Sequence, residues 1–270
     1  MTPMAWRAVD HVMLRLDALE PLHGFFADVL GLPVTWPARN ESFASYSWIG
    51  LGNTHLELWA ATSNSDLPAE TRLPLLHGFA LTPLCLETSM ATLRQVGITC
   101  NSPRTWHSPT ADGVERVNFT NAVIPDLCGP ACCVFFCDWS DDAPIAPWSA
   151  AGLPRREWDK AVHCNAKENL LGILGLSDIV LASPDPRRAA ATWRKAGLQW
   201  DEGALLLTQD IRLRIVEGPV LCVESLALRV RDLARTRSLL RQHGRLMPTT
   251  DDEVWMKAPE MAGLHLRFLQ

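Results

Sequence analysis

Four stretches of the chain repeat one grammar: an apolar run of strand length, a short polar turn, a helical stretch, then a glycine and further strand-like runs. They are "VDHVMLRLDALEPLHGFFADVLGLPVTW", "GFALTPLCLETSMATLRQVGITC", "LGLSDIVLASPDPRRAAATWRKAGLQW" and "VESLALRVRDLARTRSLLRQHGRLM". They turn at Gly31, Gly97, Gly197 and Gly244, where glycine accepts the left-handed backbone that ends a helix. Asp17, Thr88, Ser183 and Asp232 lie at or near the helix starts, where short polar side chains cap free N–H groups. The units close on "THLELWA", "CCVFFCDW", "IRLRIVEG" and "LHLRFLQ". Each therefore reads strand–helix–strand–strand–strand, the third in compressed form. A repeat of this kind dictates an α+β architecture built from βαβββ modules.

The stretch between the second and third units is rich in Pro, Ala and charge and has little strand periodicity. It divides the chain into a first half, 1–140, a linker or cap, 141–169, and a second half, 170–270. The 270 residues suffice for two ordinary domains, and 47% hydrophobic with 20% charged residues fits a globular chain. A net charge of −5 gives no electrostatic reason to expect nucleic acid or an anionic membrane as partner. The arginines between Arg229 and Arg245 are spaced as on the solvated face of an amphipathic helix. No run reaches the ~18 apolar residues of a membrane span, and the N-terminus has no secretory pattern. The chain is thus expected to be cytoplasmic, with its eight cysteines kept as thiols. In "CGPACCVFFC" the paired spacing of zinc sites is missing, and Cys132 and Cys133 would point to opposite faces of a strand. Buried thiols acting as small hydrophobes explain Cys128, Cys132, Cys133 and Cys137.

The closing run of the first unit, "NTHLELWA", alternates sharply. Thr54, Leu56 and Leu58 share one face; His55, Glu57 and Trp59 share the other. The second face is either wet or lines a site. Eleven Trp against one Tyr is an unusual ratio. Trp36, Trp48, Trp59, Trp106 and Trp139 all fall in the first half, where they pack a core or line a pocket for a planar ligand.

"AVDHVMLRLDALEPLHGFFADVLGLPVTW" followed by "GNTHLELWA" resembles the opening module of the vicinal oxygen chelate superfamily, which includes glyoxalase I, extradiol dioxygenases, fosfomycin-resistance enzymes and bleomycin-binding proteins. "TADGVERVNF" and "VFFCDWSDD" resemble a glyoxalase-like subgroup. The two C-terminal modules match mainly in architecture. The resemblance implies that the four modules pair into two curved mixed sheets of glyoxalase/dioxygenase type, each around a cup, and that a cup holds a divalent metal. It places His11 and Glu57 at ligand positions and His77 as the partner opening module two. Cys137, or its neighbour Asp138, falls where Glu57 stands in module one. In the second half the corresponding positions carry Ser177 and Leu226, then Arg214 and Arg267, and a guanidinium does not ligate a metal.

Two imidazoles and a carboxylate suit Fe(II) and oxygen chemistry, although Mn, Ni, Co or Zn accept the same donors. His55 would act as a fourth ligand or as a proton acceptor beside the substrate. His107 and Asp112 fall in a hairpin loop near the cup rim. The expected function is a metal-dependent enzyme that chelates adjacent oxygens of a small molecule, oxygenase ahead of isomerase or lyase. The alternative is a metal-free, drug-sequestering binding protein using the same aromatic cup. A homodimer would close the cup, and so would four modules within one chain.

Overall fold

The computed structural model describes residues 4–20, 22–110, 112–167, 169–248, 250–256 and 265–270. Two curved mixed sheets carry the modules. The first has eight strands: β1 (Trp6–Arg15), β2 (Val34–Asn40), β3 (Ala44–Gly50), β4 (His55–Ala61), β5 (Leu75–Pro83), β6 (Arg104–Pro109), β7 (Glu115–Val123) and β8 (Cys133–Trp139). Their spatial order is β2-β3-β4-β1-β5-β8-β7-β6. The two modules therefore meet at their opening strands: β1 and β5 run antiparallel, and each pairs parallel with its own module's closing strand, β4 or β8.

The second sheet contains β9 (Ile173–Ser183), β10 (Trp200–Asp201), β11 (Ala204–Leu206), β12 (Arg212–Glu217), β13 (Cys222–Val230), β14 (Glu253–Met256) and β15 (His265–Leu269). Its order, β10-β11-β12-β9-β13-β15-β14, repeats the same plan. Among the described residues the fourth module is one strand short, with an isolated bridge between Leu246 and Met256 in place of a ladder.

The helices form where the periodicity predicts, with local differences. The first, α1 (Leu22–Gly24), is a single turn that widens into a π-helical turn over Phe25–Val29, with Phe25 and Phe26 buried. The others are α2 (Leu86–Gln95), α3 (Pro147–Ala150), α4 (Arg155–Lys167), α5 (Pro186–Lys195) and α6 (Leu233–Gln242). All four stop glycines, Gly31, Gly97, Gly197 and Gly244, have positive φ. Asp232 caps α6 by accepting the Arg235 N–H at 2.8 Å. In α5 the cap is Asp185, at 2.9 Å from the Arg188 N–H, while Ser183 ends the preceding strand and accepts from the Asp185 N–H. Thr88 lies inside α2, whose cap position is Cys85.

One apolar core runs through both halves, from Trp6, Val12, Leu14 and Phe79 to Trp193, Leu228 and Phe268. Polar bonds tie the halves as well. The Trp6 indole donates to the Leu207 carbonyl at 2.8 Å, and the Asn53 amide exchanges bonds of 2.8 and 2.9 Å with the Leu176 backbone. No helix among the described residues is long and apolar enough to cross a membrane.

The β1–β5 ladder slips register three times. The first slip falls between Trp6 and Ala8; the second, between Val9 and His11, leaves Asp10 without a ladder partner; the third falls at His77, between the Met13–Gly78 and Leu14–Leu76 pairs. Gly78, at φ +126°, lies against β8 so closely that a Cβ would overlap the Cys133 carbonyl. A side chain there would meet both a forbidden backbone conformation and a wall of backbone. Gly78→Ala is expected to lower stability by about 3 kcal/mol, read as a shift of the urea midpoint with unchanged slope.

Candidate active site

His11 stands at the centre of the first sheet, in register with His55 on one side and Ala80 on the other. Strict alternation would turn Asp10 away from His11. The bulge at Asp10 brings both side chains to the same face, as bulges beside functional sites do. Asp10 Oδ1 lies 2.7 Å from His11 Nδ1 and accepts the Trp139 indole N–H at 3.3 Å; Oδ2 accepts the Thr82 hydroxyl at 3.2 Å. With Nδ1 engaged, His11 directs Nε2 towards Glu57, whose Oε2 is 3.5 Å away. The Trp48 indole donates to Glu57 Oε1 at 3.1 Å. His55 and Glu57 therefore face the cup, while Leu56 and Leu58 enter the common core.

The 141–169 segment folds over this cup. Trp148 on α3 and Arg155 and Asp159 on α4 are the residues that sequence reasoning missed. Arg155 Nη2 sits 3.2 Å from Asp10 Oδ2, and its Nε is 2.9 and 3.0 Å from the two Asp159 oxygens. Its guanidinium lies 4.4 Å from the Trp148 ring and 5.8 Å from that of Trp48, a cation over aromatic faces. Asp159 Oδ1 also approaches His55 Nε2 at 3.4 Å, while His55 Nδ1 bonds Thr35 Oγ1 at 3.0 Å. The i,i+4 spacing of Arg155 and Asp159 was a readable helix pair. Their target, a buried carboxylate far away in sequence, was not.

Aromatic rings fill much of the cup. Trp36, Trp48, Tyr46 and Trp148 form a buried cluster joined by Trp59, Trp139 and Trp158. Four of the five tryptophans singled out in the sequence meet there. Trp106 lies instead on the edge hairpin, 45% exposed. His107 and Asp112 are also exposed, on or beside that hairpin. The module-two side of the cup is apolar: Ala80, Phe135 and Cys137 pack together. Burial pushes the Cys137 thiol well above its ordinary pKa and keeps it protonated.

The structure brings His11, Glu57 and His55 together and places His77 elsewhere. His77 occupies the third register slip, and its charged neighbours are Arg15 and Asp66. Burial first, and Arg15 second, lower its pKa. Among the described residues no three His, Cys, Asp or Glu side chains group as a metal cage would. In the second half the corresponding positions carry ion pairs. Arg214 Nε lies 2.5 Å from buried Asp178, and Arg267 pairs with Glu253 at 3.4 Å.

The first cup holds three carboxylates, Asp10, Glu57 and Asp159, against one guanidinium. Its pKa shifts follow. Burial opposes charge on Asp10, but Arg155 and the His11 bond overcome it and hold the carboxyl well below the usual range. Burial likewise opposes a charged His11, and Glu57 and Asp10 raise its pKa. His55 goes the other way: burial outweighs Asp159 and lowers its pKa, leaving a neutral imidazole.

Two sheets built from paired modules are the plan of the vicinal oxygen chelate superfamily. Within it the chain belongs to the glyoxalase-like domain family, whose model matches residues 9–197. No curated protein matches the sequence. Among solved structures, homoprotocatechuate 2,3-dioxygenase from Arthrobacter globiformis superposes with a TM-score of 0.60 at 14% identity, over 100% of this chain and 82% of that one. The same enzyme from Brevibacterium fuscum, in complex with 3,4-dihydroxyphenylacetate, gives 0.58 at 14% identity, over 100% and 83%. A hypothetical protein from Staphylococcus aureus gives 0.60 at 14% identity, over 97% and 98%. At such identities the likeness is one of fold.

Asp10→Asn removes one partner of a buried ion pair and is expected to cost about 3 kcal/mol at neutral pH. Because the folded-state pKa of Asp10 is depressed, its contribution is complete above the unfolded value near 3.8 and fades as pH falls below it. Urea melts of the two proteins should therefore converge as the buffer is taken below about pH 4.

Proposed function

We propose that the protein is a metal-dependent enzyme of the vicinal oxygen chelate type, in which His11 and Glu57 would hold a divalent cation. The observation that carries this is their 3.5 Å separation on one face of the cup. Two ligands about 2.1 Å from one ion stand roughly 3.0 to 3.5 Å apart. Asp10 on the far nitrogen supports it, since metal-binding imidazoles commonly give their other N–H to a carboxylate. The excess of carboxylates over guanidinium also suits a dication. His77 is the third donor in this proposal and would have to leave Arg15 and Asp66 to reach the site.

When bound, such a cation supplies Lewis acidity to two neighbouring substrate oxygens. Asp10 fixes the tautomer and orientation of His11. Neutral His55 stands as the proton acceptor beside the substrate, with Asp159 as the adjacent carboxylate that stabilises the imidazolium. Trp48 holds Glu57, and the tryptophans exclude water and stack a planar substrate. A His and carboxylate donor set favours Fe(II) and oxygenation over isomerase or lyase chemistry, and a small aromatic diol is the first substrate class to assay.

The second function is a metal-free small-molecule binding protein. The observation favouring it is the apolar side formed by Ala80, Phe135 and Cys137, which adds no donor. Elemental analysis of protein purified without chelator separates the two. The enzyme predicts a stoichiometric divalent metal that His11→Ala and Glu57→Gln abolish, with affinity falling 10- to 100-fold in Asp10→Asn. Equal metal loss in His77→Ala assigns the third ligand. Protein without metal that still quenches its tryptophan emission on binding planar ligands establishes the second function.

A further inference from the structure

We propose that Cys128 and Cys133 form a reversible disulfide, a redox site at the base of β8 and separate from the cup chemistry. The backbone sets the geometry. Gly129 and Cys132 close a two-residue turn over Pro130 and Ala131: the Gly129 N–H donates to the Cys132 carbonyl at 2.8 Å, and the Cys132 N–H donates back at 3.2 Å. They are thus a hydrogen-bonded antiparallel pair. Continued one residue outward, this pairing sets Cys128 opposite Cys133 as a non-hydrogen-bonded pair, the kind whose Cα atoms approach to about 4.5 Å. That separation lies within the span of about 4.4 to 6.8 Å that a disulfide bridges. Cys132, by contrast, is fully buried within the common core.

The two thiols are unequal. The Cys128 sulfur accepts the N–H of Val134, the residue after Cys133, at 3.2 Å, and its S–H donates to the Ile124 and Val134 carbonyls at 3.3 and 3.4 Å. The neighbouring Cys133 thiol first, and the Val134 N–H after the opposing effect of burial, lower the Cys128 pKa; the neighbouring Cys128 side chain raises that of Cys133. Both side chains are partly exposed. In the proposed site Cys128, whose sulfur the Val134 N–H holds, attacks and Cys133 resolves.

The oxidant is a peroxide. The Cys128 thiolate attacks one peroxide oxygen; an S–O bond forms, the O–O bond breaks, and the departing hydroxide leaves as water with a solvent proton. The Cys133 sulfur then displaces hydroxyl from the Cys128 sulfenic acid. The S–S bond forms, the S–O bond breaks, and the Cys133 proton leaves in the second water. Two thiols lose two electrons, and the peroxide gains them. Cys133 is the register partner of Gly78, and Phe135, two residues along β8, lies 5.8 Å from His11. The bridge would pin the strand that forms this wall of the cup.

The full-length protein is treated with hydrogen peroxide, alkylated with iodoacetamide and mapped by tandem mass spectrometry. The expected product is a peptide lacking two hydrogens, with the link between Cys128 and Cys133, that regains both alkylation sites after dithiothreitol. Before oxidation, Cys128 should alkylate roughly tenfold faster than Cys132. In Cys133→Ser, and in Cys133→Ala as a second variant, Cys128 should proceed to sulfinic acid. Any of three results on the unmutated protein overturns the proposal: a link to Cys132 or Cys222, sulfinic Cys128 beside an alkylatable Cys133, or both thiols unchanged under peroxide.

Discussion

The site depends on one buried carboxylate. Asp10 bonds His11 and the Trp139 indole through one oxygen and reaches Thr82 and Arg155 through the other. It thereby joins the opening strands of two modules, the closing strand of the second, and a helix of the connecting segment. A carboxylate this buried is tolerated only because its lone pairs are occupied and a guanidinium balances its charge. Removing it would leave Arg155 inside the aromatic cluster with only Asp159 opposite, and His11 without the group that orients its ring.

The bulge at Asp10 makes the arrangement geometrically feasible. In a regular strand Asp10 and His11 would lie on opposite faces of the sheet. One unpaired position turns both inward and leaves Val9 and Val12 in the core. The same device recurs at His77, where it serves a different neighbourhood, Arg15 and Asp66. The paired modules are thus alike in plan and unlike in their polar content. Module one supplies His11, His55 and Glu57, while module two supplies Ala80, Phe135 and Cys137. The second sheet departs further, with guanidinium–carboxylate pairs where the first has imidazole and carboxylate.

The connecting segment has a larger role than its composition suggests. Its Pro- and Ala-rich sequence gives little periodicity, yet it folds into two helices that place Trp148, Arg155 and Asp159 against the cup. His55 then meets a carboxylate from outside its own module. Two histidines in register shift in opposite directions: at His55 burial outweighs Asp159 and lowers the pKa, whereas at His11 Glu57 and Asp10 overcome burial and raise it. Groups pushed apart in this way are suited to separate tasks in one site.

The fourfold strand–helix–glycine pattern determined the modules because helix stops and strand alternation are local properties of the chain. The alternation in "NTHLELWA" likewise determined that His55, Glu57 and Trp59 share a face, and the resemblance of "DHV" and "HLELW" to family motifs pointed to His11 and Glu57. Register was outside the reach of both. A single unpaired residue turned Asp10 towards His11, and another set His77 beside Arg15, and neither slip has a signature in the flanking residues. The Arg155–Asp10 contact was equally illegible, because it joins residues far apart in sequence whose meeting depends on how α4 packs. Local periodicity specifies which side chains can share a face; only the tertiary structure, through ladder register and the packing of the cap, decided which of them meet.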